Sequence, residues 1–227
     1  CNPCSKKNLE NPFRNIGFRI TLSLLGTPRL ERDSQPIPID RHKALALLAY
    51  ITVTNKPHRR DSLAALFWSD YDQTRARAAV RRALASLNKA IPGSWWDTDR
   101  ETIGFNYKDD PNFILDVNQF HARLAECAAH NHPITDVCPA CFNPLTNAIA
   151  LYRGDFLSGF TLRDSPDFDD WQFHQTEKLR RDFANALERL ARLFVVVREQ
   201  RGALVEMLRI LLLDRARHGG VHRAAPL

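Results

Sequence analysis

Between Gln73 and Ala90 the chain carries five cations, Arg75, Arg77, Arg81, Arg82 and Lys89, and no acid. Placed at helical intervals, Val80, Leu84, Leu87 and Ile91 gather on one side, which must be the buried one. Arg75, Ala78, Ala79, Arg82, Ser86 and Lys89 then lie opposite, with Arg77 and Arg81 on a flank. Solvated helix faces ordinarily mix signs, because opposite charges three or four residues apart stabilise one another. This one does not. A helix so charged fits the major groove of B-form DNA, where arginine donates two hydrogen bonds to a guanine edge and lysine or serine holds phosphates. Ala78 and Ala79 would let the backbone approach the bases or meet a thymine methyl.

A second group with chemical potential is Cys127, His130, His132, Cys138 and Cys141, spaced Cys-x2-His-x-His-x5-Cys-x2-Cys. The knuckle Cys138–Pro139–Ala140–Cys141 offers two thiolates to one ion. Cys127 and one histidine would complete a tetrahedral Cys3His site for a structural zinc. His132 is preferred over His130 because Pro133 fixes the backbone beside it, although spacing leaves both open. The competing reading is free thiols in a loop with chance histidines. An odd total of five cysteines argues against a disulfide framework.

Enzymatic readings fare worse. Zinc deaminases need a His-x-Glu ahead of Pro-Cys-x-x-Cys, whereas Val137 precedes Cys138 and neither histidine has that glutamate. A thioredoxin-type strand–helix–strand context around Cys138 and Cys141 is absent. No phosphate-binding glycine loop, Gly-x-Ser-x-Gly elbow or His-Glu-x-x-His helix occurs. Asp164, Asp167, Asp169 and Asp170 read as solvated charges at a helix N-terminus, where acids are favoured. The expectation is no enzyme.

The elements that must position these residues are legible from periodicity. Phe18–Leu25, Arg29–Glu31 and Pro36–Ile39 read as short strands with turns between them. Asp40 is a candidate N-cap for a helix over 41–53 with Ala44, Leu45, Leu47, Leu48 and Ile51 inward, ended by Asn55–Lys56–Pro57. A second helix is expected over 59–68 and a third over 73–91, stopped by Pro92–Gly93. Trp95–Trp96 and Thr102–Asn106 then form a hairpin. Beyond it, helices are expected over 116–130, 144–152, 167–195 and 202–213. Sheet, three helices and hairpin make a winged-helix layout, so the fold class is an α+β winged helix followed by an all-α, tetratricopeptide-like region. The expected divisions are a disordered tail over 1–16, a DNA-binding domain over 17–110 and a helical domain over 111–227.

Charge follows the same division. Residues 1–110 hold 18 Lys+Arg against 12 Asp+Glu, whereas residues 111–227 hold 14 of each. The whole excess of +6 lies in the first part, as expected of a polyanion-binding module joined to something else. No apolar run reaches the roughly 18 residues of a membrane span, and residues 1–14 lack the apolar core of a signal peptide. A soluble, cytoplasmic protein without membrane contact is expected. With Cys1 first and Met207 the sole methionine, the start reads as trimmed.

Residues 18–106 resemble the OmpR-type winged-helix DNA-binding domain of the antibiotic-regulatory-protein (SARP) class. The resemblance is carried by Leu24–Leu25–Gly26, Arg41 and Lys43 ahead of Leu45–Leu48, Arg60–Asp61–Ser62–Leu63 through Leu66–Phe67–Trp68, and Ala76 through Leu84 and Leu87. It implies that the third helix enters the major groove with Arg75, Arg77, Ala78, Arg81, Arg82 and Lys89. It further implies that Arg100 on the hairpin reaches the minor groove or backbone, and that His58 and Arg59 touch phosphate. The remainder resembles the bacterial transcriptional activator domain of that class, through Asp116–Val117 to Phe120, Ala148, Leu151–Tyr152–Arg153–Gly154–Asp155–Phe156–Leu157, Asp170–Trp171, Leu179–Arg180 and Leu187–Leu190. That implies helical repeats, self-association as a homodimer and contact with RNA polymerase. The segment Arg215–Leu227 stands where a further repeat is expected, so the array reads as C-terminally short. The functional expectation is a sequence-specific regulator of transcription, an activator, bound to double-stranded DNA. The alternative is a helical-repeat interaction adaptor without DNA binding.

Overall fold

The computed structural model describes residues 17–39, 41–93, 95–107, 110–130, 132–133, 136 and 138–218. The expected tail over 1–16 lies outside them. Strands β1 (Ile20–Ser23), β2 (Arg29–Arg32) and β3 (Gln35–Pro36) form an antiparallel meander. Helix α1 (His42–Thr54) follows, its N-cap at Arg41 with no side-chain capping bond, while Asp40 is outside the described residues. Asn55 ends α1 in the left-handed conformation at φ 49°, which asparagine tolerates well, and donates its N–H to Ile51.

A two-residue strand β4 (His58–Arg59) leads into α2 (Arg60–Phe67), and α3 (Gln73–Ala90) follows. The Asp72 carboxylate caps α3 by accepting from the Arg75 N–H at 3.0 Å. Strands β5 (Trp96–Thr98) and β6 (Thr102–Phe105) make the expected hairpin, with β4 added on its far side in the order β4-β6-β5.

Sequence reasoning missed β7 (Phe113–Leu115). It pairs parallel to β1 and completes a four-stranded sheet of order β3-β2-β1-β7. It also lies beyond residue 110, so the first sheet takes a strand from each side of the expected division. Helices α4 (Asp116–Ala128), α5 (Phe142–Leu151) and α6 (Pro166–His218) follow. The two helices expected over 167–195 and 202–213 are one helix of 53 residues, about 80 Å long. Nothing in Val196–Arg201 breaks it, and Gly202 within a helix costs only about 1 kcal/mol relative to alanine.

One hydrophobic core runs from β1 to the first turns of α6. Alpha-1 is its centre, with Ala44, Ala46, Leu47, Leu48, Ala49 and Ile51 fully buried. Phe67 at the end of α2 meets Phe168 of α6 at a centroid distance of 5.3 Å, and Tyr50 meets Trp171 at 4.9 Å. Phe67 and Phe168, both fully buried, each contribute on the order of 2 kcal/mol through burial, and the half-buried Tyr50 and Trp171 less. The hairpin is anchored by Trp95, fully buried, whose indole N–H donates to Asp110 at 2.6 Å.

The early sheet and the later helices are joined by hydrogen bonds as well as by packing. Gly26 donates its N–H to the Asp155 carbonyl at 3.0 Å, and Leu157 donates to Leu24 at 2.8 Å. The Asp116 carboxylate, buried at the start of α4, accepts from the Leu24 and Leu25 N–H groups at 2.8 and 2.9 Å and from Arg153 at 3.2 Å. Gly26 has φ +118°, and a Cβ there would meet Arg153 at 3.5 Å. Thus Leu24–Gly26 and Arg153–Leu157, far apart in sequence, form one seam.

Candidate functional site

Alpha-3 rests on α1 and α2 through Ala76, Ala79, Val80, Ala83, Leu84 and Leu87, all buried. Three of these are alanines, which let the helices approach closely and turn the exposed face by roughly 40° from that inferred from the large apolar residues alone. Ala79, expected outside, is therefore buried, and the outward face runs through Ala78, Arg81, Arg82, Ala85 and Lys89. Asn88 joins Arg81 and Ala85 on one stripe at helical spacing; neither Ala85 nor Asn88 was anticipated. Weighting Ala76, Ala79 and Ala83 as inward residues would have found both.

The cations divide by partner. Arg77 is held by Asp61, at the start of α2, through Nε–Oδ1 and Nη2–Oδ2 contacts of 2.5 and 2.6 Å. This pairing keeps the Asp61 carboxyl below the ordinary carboxylate range. Arg75 lies 4.9 Å over the Tyr71 ring. Among the described residues, Arg75, Arg81, Arg82 and Lys89 have no carboxylate within ion-pair reach, and all four are exposed. Arg82 also shares a groove with Arg41 and His42 at the start of α1. A second groove between α3 and the hairpin is lined by Arg60, Arg81, Asn88 and Arg100 together with the acids Asp61, Asp99 and Glu101.

The hairpin tip is rigid. Asp99 accepts from the Glu101 and Thr102 N–H groups at 2.7 and 2.6 Å and from the Thr102 hydroxyl at 3.0 Å. These bonds, the Thr102 N–H foremost, hold its carboxyl below the ordinary range. Arg100 projects exposed from this turn, and Arg60 Nε donates to the Asp99 carbonyl at 3.0 Å. Arg59 is exposed, 4.0 Å from Glu101. His58, expected to touch phosphate, is instead only 8% exposed; its ring packs 4.8 Å from Tyr50, and Nε2 lies 2.6 Å from the Thr54 hydroxyl. Burial, then Lys56, holds its pKa below the ordinary imidazole value. Lys43 is likewise turned inward, donating to the Phe67 carbonyl at 2.6 Å.

The cysteine–histidine group gathers between α4 and α5, but with different members. The ligand atoms of His130, His132, Cys138 and Cys141 all lie within 4.8 Å of one another. Cys127 is left out: it is fully buried at the end of α4, in a small cluster with Cys141, Leu145 and Ala186. Burial, reinforced by the neighbouring Cys141 thiol, pushes its thiol up to about 11. Cys138 shifts the other way. Burial opposes its ionisation, but the Cys141 side chain, the Cys141 and Ala140 N–H groups and His132 outweigh that.

No family model matches the chain. Over 80 residues it is 29% identical to the transcriptional regulatory protein EmbR of Mycobacterium bovis and to that of Mycobacterium tuberculosis, covering 35% of this chain. The match spans about a fifth, 21%, of those relatives' length. Among solved structures, Mycobacterium tuberculosis EmbR in complex with a low-affinity phosphopeptide superposes with a TM-score of 0.62 at 21% identity, covering 88% of this chain and 51% of that one. The chain therefore shares its fold, mixed α/β elements followed by helices, over nearly all of its own length.

Proposed function

We propose that the chain is a DNA-binding regulator of transcription in which residues 18–106 act as a winged helix and α3 lies in the major groove. The observation that carries this reading is the acid-free outer face of α3, with Arg75, Arg81, Arg82 and Lys89 exposed and unpaired among the described residues. Ala78 and Ala85 lie along the same face, where small side chains permit close approach to base edges. Arg41 at one side and Arg60 and Arg100 at the other extend the positive surface toward flanking phosphates, while Arg59 is drawn toward Glu101. The likeness to EmbR, named a transcriptional regulatory protein, supports the same reading. The C-terminal helices, with Leu187, Phe194 and Val195 exposed on α6, would bring a second protomer or RNA polymerase to the site and make the regulator an activator.

Selection of bound fragments from genomic DNA by the purified chain tests this. Enrichment of one recurring motif is expected, and motif copies at a fixed helical spacing would show paired protomers. Recovery of fragments in proportion to their abundance would contradict sequence reading.

A further inference from the structure

The group between α4 and α5 has no place in DNA recognition, and its geometry has its own meaning. Nδ1 of His130 stands 3.2 Å from the Cys141 sulfur and 3.4 Å from the Cys138 sulfur. Nε2 of His132 stands 3.3 Å from the Cys141 sulfur, and the two sulfurs are 3.7 Å apart. A zinc ion bound to two sulfurs at about 2.3 Å and two nitrogens at about 2.0–2.1 Å sets its tetrahedral ligands about 3.3–3.8 Å from one another. The sulfur–sulfur separation stands at its edge length, the three sulfur–nitrogen separations lie within a few tenths of an ångström of theirs, and all pairs lie within 4.8 Å.

The surroundings are those of a metal ligand set. Nδ1 of His132 lies 2.9 Å from the Pro133 carbonyl, so the proton sits on Nδ1 and the Nε2 lone pair faces the sulfurs. Cys138 precedes the 3-10 turn Pro139–Cys141, in which the Cys141 N–H donates to the Cys138 carbonyl at 2.9 Å and folds the two thiols toward each other. Cys127 lies on the buried stripe Phe120, Leu124, Cys127 with its thiol 4.0 Å from the Cys141 carbonyl, and its sulfur is not among the four ligand atoms that lie within 4.8 Å of one another.

We infer that His130, His132, Cys138 and Cys141 form a Cys2His2 site for a structural zinc ion, with Cys127 outside the coordination sphere. Four protein ligands leave no open position, so the ion would clip the end of α4 to the start of α5 rather than activate water. Two thiolates and two neutral imidazoles make a site of borderline softness that suits zinc in tetrahedral geometry. The clip stands apart from α3, and the DNA reading can fail without affecting it.

The test uses the full chain, reduced, in a Cys1→Ser/Cys4→Ser background that removes the other two thiols outside this segment. Stoichiometric zinc should survive dialysis against metal-free buffer. Cobalt(II) added to the stripped protein should give the intense visible bands of a tetrahedral, thiolate-bound ion. Cys138→Ser and His130→Ala should each abolish those bands, whereas Cys127→Ser should keep them. Chelation should lower the melting temperature. Should Cys138→Ser fail to fold, the cobalt spectrum of the unsubstituted ligand set decides alone. Absence of both zinc and tetrahedral cobalt bands would overturn the site. So would loss of the bands in a folded Cys127→Ser chain, or a Cys138–Cys141 disulfide in protein purified under reducing conditions.

Discussion

Arginine serves two purposes in this molecule, and the seam and the outer face of α3 show them side by side. At the seam, Arg153 closes on Asp116 and Arg180 on Asp155, tying the start of α4 and the body of α6 to the chain that follows α5. On α3, Arg75, Arg81 and Arg82 face solvent with no acid in reach among the described residues. Arg77, paired with Asp61, belongs with the first kind although it sits on the same helix. The difference teaches that charge density along a sequence overstates the charge a partner can feel. What counts is the set of cations left without a carboxylate.

The seam should yield the largest effect when broken. Asp116→Ala strands the buried Leu24 and Leu25 N–H groups, and a loss of about 3 kcal/mol is expected, measured by urea unfolding. The α3 face should come next, without loss of stability. Arg82→Ala should weaken binding to a preferred duplex by about 2 kcal/mol and flatten discrimination at one position if it reads a base. An equal loss on every duplex would make Arg82 a phosphate contact. Arg77→Ala should lower the salt dependence of binding less than Arg82→Ala, because Asp61 already neutralises it. Asp61→Asn should release that charge and raise non-specific affinity slightly, because so exposed a pair is weakly coupled.

The smallest effect is the pH dependence of His58. The unfolded chain takes up a proton at the ordinary imidazole value, above the folded one, so stability is lost as pH falls through that interval. Urea midpoints of the wild type should therefore drop as pH falls below the ordinary imidazole value. His58→Gln should drop less. Equal slopes would place the ring in water, contrary to its packing against Tyr50.

Much of the fold was legible because its signals are local. Pro92–Gly93 stops α3 on the page as it does in space, and the hairpin announces itself through its polar turn. Beta-7 was not legible, since three residues running directly into a helix have no pattern of their own; their partner β1 lies some ninety residues earlier. His58 looked exposed because it adjoins Arg59 and Arg60, yet Tyr50 and Thr54 one turn apart on α1 claim its ring. Among the cysteines and histidines, the spacing marked the segment, whereas the four ligand atoms that the fold brings within 4.8 Å of one another include His130 in place of Cys127. Phe120, Leu124 and Cys127 share one helical stripe, and that periodicity was the available sign that Cys127 faces the core.

The central claim is that the outer face of α3 is an open, unneutralised surface for duplex DNA. Fluorescence anisotropy of a labelled duplex, titrated with the chain across a salt series, tests it most directly. Tight binding at low salt that weakens steeply as salt rises is expected, with the logarithmic slope reduced by about 0.9 for each phosphate-contacting cation removed from α3. No measurable affinity at low salt, or an affinity indifferent to salt and to the loss of Arg81 and Arg82, would contradict it.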